Sequence, residues 1–502
     1  MLSFCGSLLL LLLCQDALGV PRPDFGLDGT VLGSVEIKAS AHVAGTSFDA
    51  VDEKTITISS HYTRLRNLLQ ALTAIGGDIA TSGQTLTAKL ETLAPSKGPL
   101  PTVFSDVTEA IGTLRTLLQT GLGTQTTAIQ QAVGNYITDM LTDATSELLV
   151  TLATISTQID ALQTGVNNAV AAYGAGNIPT NVIRRYVSPK VIYELERALV
   201  DLNTRLPLVK YIIGITLQHL SAADDYITAF MRQTSNTVFE SLLLYDTFRL
   251  EVLQSASDAS NAVIGPILAA YTQQTQTLDP IIRQLPDLNS YVDALQPVFD
   301  YYDNLLKYDN QIMLTNKLEK IFTDFLASVV TLDDHIDEFY DAKLCAPVQN
   351  VLQVLIASGP WAEYCFSKYS ARVYDLVTAN TNRFTMCYQL EAIRLERLRE
   401  LVDRLVRQIV YDIEDFGGNI STCYSRGDTA SDCVATIGPF NIDLINNLTD
   451  KLADLMQLLK VEMAASYSRM AACVSGGKCE LISSAETIVT GVLACENSGP
   501  KV

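Results

Sequence analysis

The sequence predicts an all-α protein: an elongated bundle of long antiparallel helices ending in a disulfide-stapled C-terminal helical hairpin module. Three observations carry this prediction. First, apolar residues recur at alternating steps of three and four, at Leu152, Ile155, Ile159, Leu162, Val166 and Ala169. The spacing returns at Leu288, Val292, Leu295, Phe299, Tyr302 and Leu305, at Leu395, Leu398, Val402, Leu405 and Ile409, and at Ile445, Leu448, Leu452, Leu455 and Leu459. Such steps place one apolar stripe along one side of a helix. Second, Pro and Gly interrupt the pattern at 94–101, 173–179, Ser188–Pro189, Gly359–Pro360 and Gly417–Gly418, which divides the chain into about ten helices. Short breaks between long stripes favour antiparallel neighbours. Third, the cysteines beyond Cys14 all lie in the last third, at Cys345, Cys365, Cys387, Cys423, Cys433, Cys473, Cys479 and Cys495.

Residues 1–19 read as a signal peptide. The run Leu8–Leu13 is too short to span a bilayer, small residues stand at Ala17 and Gly19, and Pro21 and Pro23 follow. No later stretch has the length of a transmembrane helix, and the segment 494–502 has no hydrophobic tail, so the expected product is secreted, extracellular and without a membrane anchor. Between 20 and 60, Val35, Ile37, Ala39, Ala41 and Val43 alternate with other residues, as do those of Thr55–Ser59, which predicts a short strand pair or an extended arm.

Residues 61–180 form a low-charge, Thr/Gln-rich helical region. Such a face either lies against another chain or is a weakly charged surface of the bundle. Residues 181–344 continue the bundle, with Tyr291, Phe299, Tyr301, Tyr302 and Tyr308 at helical spacing. These aromatics suit a core, or alternatively the lining of a groove for an apolar ligand or partner helix. Residues 345–502 are the cysteine module, where Glu400 with Arg404 and Asp403 with Arg407 are spaced for i,i+4 pairs.

Without its leader the chain keeps eight cysteines and a charge near −19, the full chain's −20 less Asp16. An even count in an oxidising compartment predicts four disulfides, whose pairing spacing alone does not fix. Helices over about 381–413 and 441–473 would make a hairpin, with Cys423 and Cys433 closing its tip and Cys387 beside Cys473 or Cys479 at its base. The acidic balance argues against nucleic acid and anionic membrane as partners, since neutralising phosphates takes a basic face.

Catalysis fails by elimination. His42, His61, His219 and His335 belong to no zinc-protease motif, and there is no nucleophile elbow or phosphate loop. Asp333, His335 and Asp337 are the one cluster that could hold a divalent cation, and charge runs of this kind are usually solvated helix faces. No cofactor or metal is expected. Two sequons stand at Asn419 and Asn447. Asn419 follows Gly417–Gly418 in the predicted loop, whereas Asn447 adjoins the seam residue Leu448.

The segment Cys365-Phe-Ser-Lys-Tyr-Ser, running through Tyr374 and Asn382-Arg-Phe-Thr-Met to Cys387, together with Cys473-Val-Ser-Gly-Gly-Lys-Cys479 and Ser484-Ala485 before Cys495, resembles the TsetseEP-type domain of secreted insect proteins. The resemblance covers about the last 140 residues, a compact cysteine-stapled module of the size secreted chains favour. It implies a helical, disulfide-stabilised module of gut or other epithelial secretions, without enzymatic activity and with an association with defence. The interval from Cys387 to Cys423 is longer than that pattern, and its Glu-Pro repeats are absent. The expected function is therefore non-enzymatic: protein–protein interaction or self-assembly, with an extracellular carrier of an apolar small molecule or lipid as the alternative.

Overall fold

The computed structural model describes residues 22–174, 176–285 and 289–500, without the side chains of 238, 241–242, 290, 333–342 and 380. The leader read at 1–19 lies outside the described residues. Within them the chain forms thirteen α-helices. The one β-type pairing among the described residues is an isolated bridge between Asp24 and Leu27. The chain gathers into two compact units, each assembled from separate stretches of sequence. The first takes Met1–Met231, Gln349–Ser370 and Gly491–Val502, and the second Arg232–Val348 and Ala371–Thr490. The linear regions read from composition do not have this interleaving.

In the first unit, α1 (Ser34–Asp49) occupies the segment read as a strand pair. The alternation there was misleading because Val35 and Val43 are surface residues, about half exposed. The residues that α1 buries are Ile37, Ala41, Ala44 and Phe48, at helical steps of four and three. Residues 53–62 form neither helix nor strand. Their end is tied down by Asp224, whose carboxylate accepts from the Ser59 and Ser60 backbone N–H groups at 2.8 and 2.9 Å and from Ser59 Oγ at 2.7 Å.

Next come α2 (Thr63–Leu93), α3 (Leu100–Thr116), α4 (Gly123–Val133), α5 (Tyr136–Tyr173) and α6 (Thr180–Tyr186). The breaks after Leu93 and Tyr173 fall where Pro and Gly cluster. On α5 the whole stripe from Leu152 to Ala169 is buried. Packing between α1 and α2 depends on Gly83, since a Cβ there would strike the ring of Phe48. The Thr-rich faces are satisfied locally. Thr85, Thr92, Thr113, Thr154, Thr157 and Thr164 each donate to the carbonyl four residues back on their own helix. A face of this kind keeps few hydroxyl protons for a partner chain.

The helix α7 (Pro189–Ile282) begins at the predicted Ser188–Pro189 break and has residues in both units. In the second unit follow α8 (Asn289–Ala294), α9 (Gln296–Leu305) and α10 (Tyr308–Lys343). The single stripe expected over 288–305 is thus split at Leu295, and Val292 points to solvent. The chain closes with α11 (Cys345–Ile356), α12 (Ala362–Tyr424) and α13 (Ala430–Ser498). No helix among the described residues is long and apolar enough to cross a membrane.

Candidate functional site

The hairpin of α12 and α13 is the most heavily fixed part of the second unit. On α12, Leu395, Val402, Val406, Ile409, Ile413, Phe416 and Ile420 are buried at steps of three, four and seven. They share one core with Ile445, Leu448, Leu452, Leu455, Leu459 and Met463 of α13. Leu405, assigned to this seam from sequence, is exposed, and Val406 takes its place.

Covalent and ionic ties set the register. Cys387 is bonded to Cys473, with Cα atoms 5.9 Å apart. Four residues on along α12 and four back along α13, the carboxylate of Glu391 accepts from Arg469 at 2.7 Å and from Arg394 at 2.9 Å. The Glu391 side chain is 1% exposed. Burial opposes its ionisation, but the hydrogen bonds from Arg469 and Arg394 outweigh it and hold the carboxyl below the usual glutamate range. At the tip Cys423 is bonded to Cys433 across the turn between the helices. In the first unit Cys365 is bonded to Cys495.

Three bridges, rather than the four expected, are present among the described residues. Cys479 takes part in none of these bridges and is exposed, as is Cys345. Cys479 is six residues beyond Cys473, which turns it some 240° around the helix and away from Cys387. The loop predicted at Gly417–Gly418 is absent, because α12 runs on to Tyr424. Gly417 serves a close approach instead, since a Cβ there would meet the side chain of Gln274. Asn419 is therefore an exposed helical residue, and Asn447 is also exposed beside buried Leu448.

The aromatic group read at 291–308 packs mostly inward. Tyr302 stacks on Tyr271 with centroids 5.2 Å apart, and Phe299 meets Phe416 edge-on at 5.2 Å. Tyr291 lies 6.3 Å from Phe299, Tyr301 lies 5.8 Å from Tyr302, and Tyr308 is exposed. The Tyr271 hydroxyl donates to Asp303 at 2.7 Å. Burial, then that hydrogen bond, pushes the phenol well above its ordinary range. Phe299 and Tyr302 are core rings, and Tyr291 and Tyr301 are half-buried against them. The backbone of Asp333, His335 and Asp337 is helical within α10, and their side chains lie outside the described set.

One polar constellation was invisible in sequence. In the first unit the Nδ1 of buried His219 lies 2.8 Å from Ser358 Oγ, and its Nε2 lies 3.2 Å from Glu363 Oε1. The order hydroxyl, imidazole, carboxylate resembles an acyl-transfer relay. Here, however, Ser358 is buried in a left-handed conformation, φ 54°, and its own N–H donates to the Leu355 carbonyl. The group fastens α7 to the junction of α11 and α12, where a non-glycine residue takes the left-handed terminus.

The second feature missed in sequence is an apolar row on the outer side of α12. Met386, Leu390, Ile393, Leu401 and Tyr411 are all exposed, Ile393 by 60%. At 100° per residue they fall on the face opposite Leu395, Val402 and Ile409. The pairs of Arg399 with Glu396 and of Arg407 with Asp403 lie along one side of the row, and the pair of Arg397 with Glu400 falls within it, between Ile393 and Leu401. Beside it, a cleft of about 550 Å³ runs between α7 and α12, lined by Glu251, Asp258, Glu396 and Glu400 among others. The spacing was legible, but two apolar rows interleave over 386–411 and only one was read.

A family described as "Protein of unknown function (DUF725)" matches residues 362–477, which cover α12, the first part of α13 and the Cys387–Cys473 and Cys423–Cys433 bridges. No curated protein and no solved structure matches the chain.

Proposed function

We propose that this protein works outside the cell by non-covalent association with another helical surface, a second copy of itself included, through the outer apolar row of α12. The observation that carries this reading is that one helix has two apolar faces, of which only one is covered. Exposed apolar residues recurring along one helix face among charged pairs are a pattern by which helices recruit helices. Three disulfides and an apolar leader sequence support an oxidising, extracellular setting. The TsetseEP-like cysteine pattern supports a module of epithelial secretions. Oxidative footprinting tests the reading, because Met386 lies in the row and Met231, equally exposed, lies in the first unit. In the native secretion Met386 should oxidise several-fold more slowly than Met231. Equal rates there and in dilute purified protein would sink the proposal.

A further inference from the structure

A groove in the second unit reverses the electrostatic character of the chain. It lies between α10 and α13, has a volume of about 730 Å³, and is floored by Ile321, Phe325, Met456 and Met463. Its charged lining residues are Lys317, Lys320, Lys460 and Asp324. Lys320 and Asp324 pair at 2.9 Å. Lys317 and Lys460 have no carboxylate partner among the described residues and are exposed. In a protein of net charge −20, three lysines against one carboxylate around an apolar floor give this groove a local positive balance.

We infer that this groove binds a single-chain amphiphile with an anionic head, its tail on the methionine floor and its head between Lys317 and Lys460. The volume falls in the range of small-molecule sites, roughly 300–1,000 Å³. Methionine side chains adapt to a flexible alkyl chain at little cost. The lysine stems extend the apolar wall while their ammonium groups meet the head. A bare anion lacks the apolar contact, and a neutral chain lacks the charged one. The groove shares no residue with the outer row of α12, so the inference stands independently of the association reading.

Displacement of dansyl-labelled undecanoate by palmitate tests the inference on the full mature protein, with thermal midpoints confirming that each variant folds. Palmitate should displace the probe at one site per chain, and hexadecanol should be at least about tenfold weaker, the scale of one lost charge-assisted contact. The pair Lys317→Glu and Lys460→Glu should weaken palmitate by about tenfold or more, and Ala453→Trp, which fills the groove without changing charge, should do the same. Lys89→Glu in the first unit should leave binding unchanged. The inference is overturned if palmitate does not bind, if it binds the lysine pair variant as tightly as the parent, or if an acidic amphipathic peptide occupies the groove and palmitate does not.

Discussion

The Glu391 carboxylate meets the Arg469 guanidinium at 2.7 Å, one helical turn from the Cys387–Cys473 bridge. A covalent and an ionic tie thus fix the same register of the hairpin. Glu391→Gln keeps the shape but loses the charge, and should destabilise by about 2 kcal/mol, the scale of hydrogen bonds to a buried charged group. Because the folded carboxyl titrates below its unfolded value, this stabilisation is present above about pH 4.3 and is lost as pH falls through the folded value. Urea midpoints of parent and variant should differ at pH 7 and converge in acid. A constant gap across pH would contradict the assignment.

Asp224 holds the irregular segment 53–62 through three hydrogen bonds from Ser59 and Ser60. Burial opposes its ionisation, and the hydrogen bonds from Ser60 and Ser59 prevail, so its pKa is lowered. Asp224→Ala should release the segment and speed proteolysis within 53–62. It should also destabilise by about 2 kcal/mol at neutral pH. An unchanged cleavage pattern would show that the segment is held by other means.

Gly83→Ala should cost about 1 to 3 kcal/mol, because the added methyl enters the space of the Phe48 ring and forces repacking of α1 on α2. Gly112→Ala, where a Cβ meets nothing within 4 Å, should be neutral or slightly stabilising. Thermal midpoints of the two variants moving in the same direction would refute the packing argument.

Much of the fold was legible. The stripes at 152–169 and 445–459 are buried as read, and the break positions at 94–101, 173–179 and 359–360 separate helices. The failures have physical causes. Over Val35–Val43 the alternation mixed exposed Val35 and Val43 with Ile37 and Ala41, whose burial at helical spacing with Phe48 decided the structure. At Gly417 the glycine serves packing against Gln274, which no local rule announces. The His219–Ser358–Glu363 contacts join residues 139 or more positions apart, beyond the reach of pattern reading. The outer row of α12 was hidden by the seam that shares its segment.

Peptide mapping without reduction should return the pairs Cys365–Cys495, Cys387–Cys473 and Cys423–Cys433, and Cys479 should alkylate in the folded protein. The bridges should differ in strength. Opening Cys423–Cys433, which spans 10 residues, should cost about 2.7 kcal/mol, and opening Cys387–Cys473, which spans 86, about 4.6. An intramolecular disulfide at Cys479 would contradict the map.

The most direct test of the central claim is native mass spectrometry of the mature chain taken from culture medium, beside the double variant Ile393→Asp and Leu401→Asp. The account predicts a species heavier than one chain, a dimer or a complex with a bound protein, that falls to the bare monomer in the variant. A parent that is monomeric at every concentration and indistinguishable from the variant would contradict association through α12.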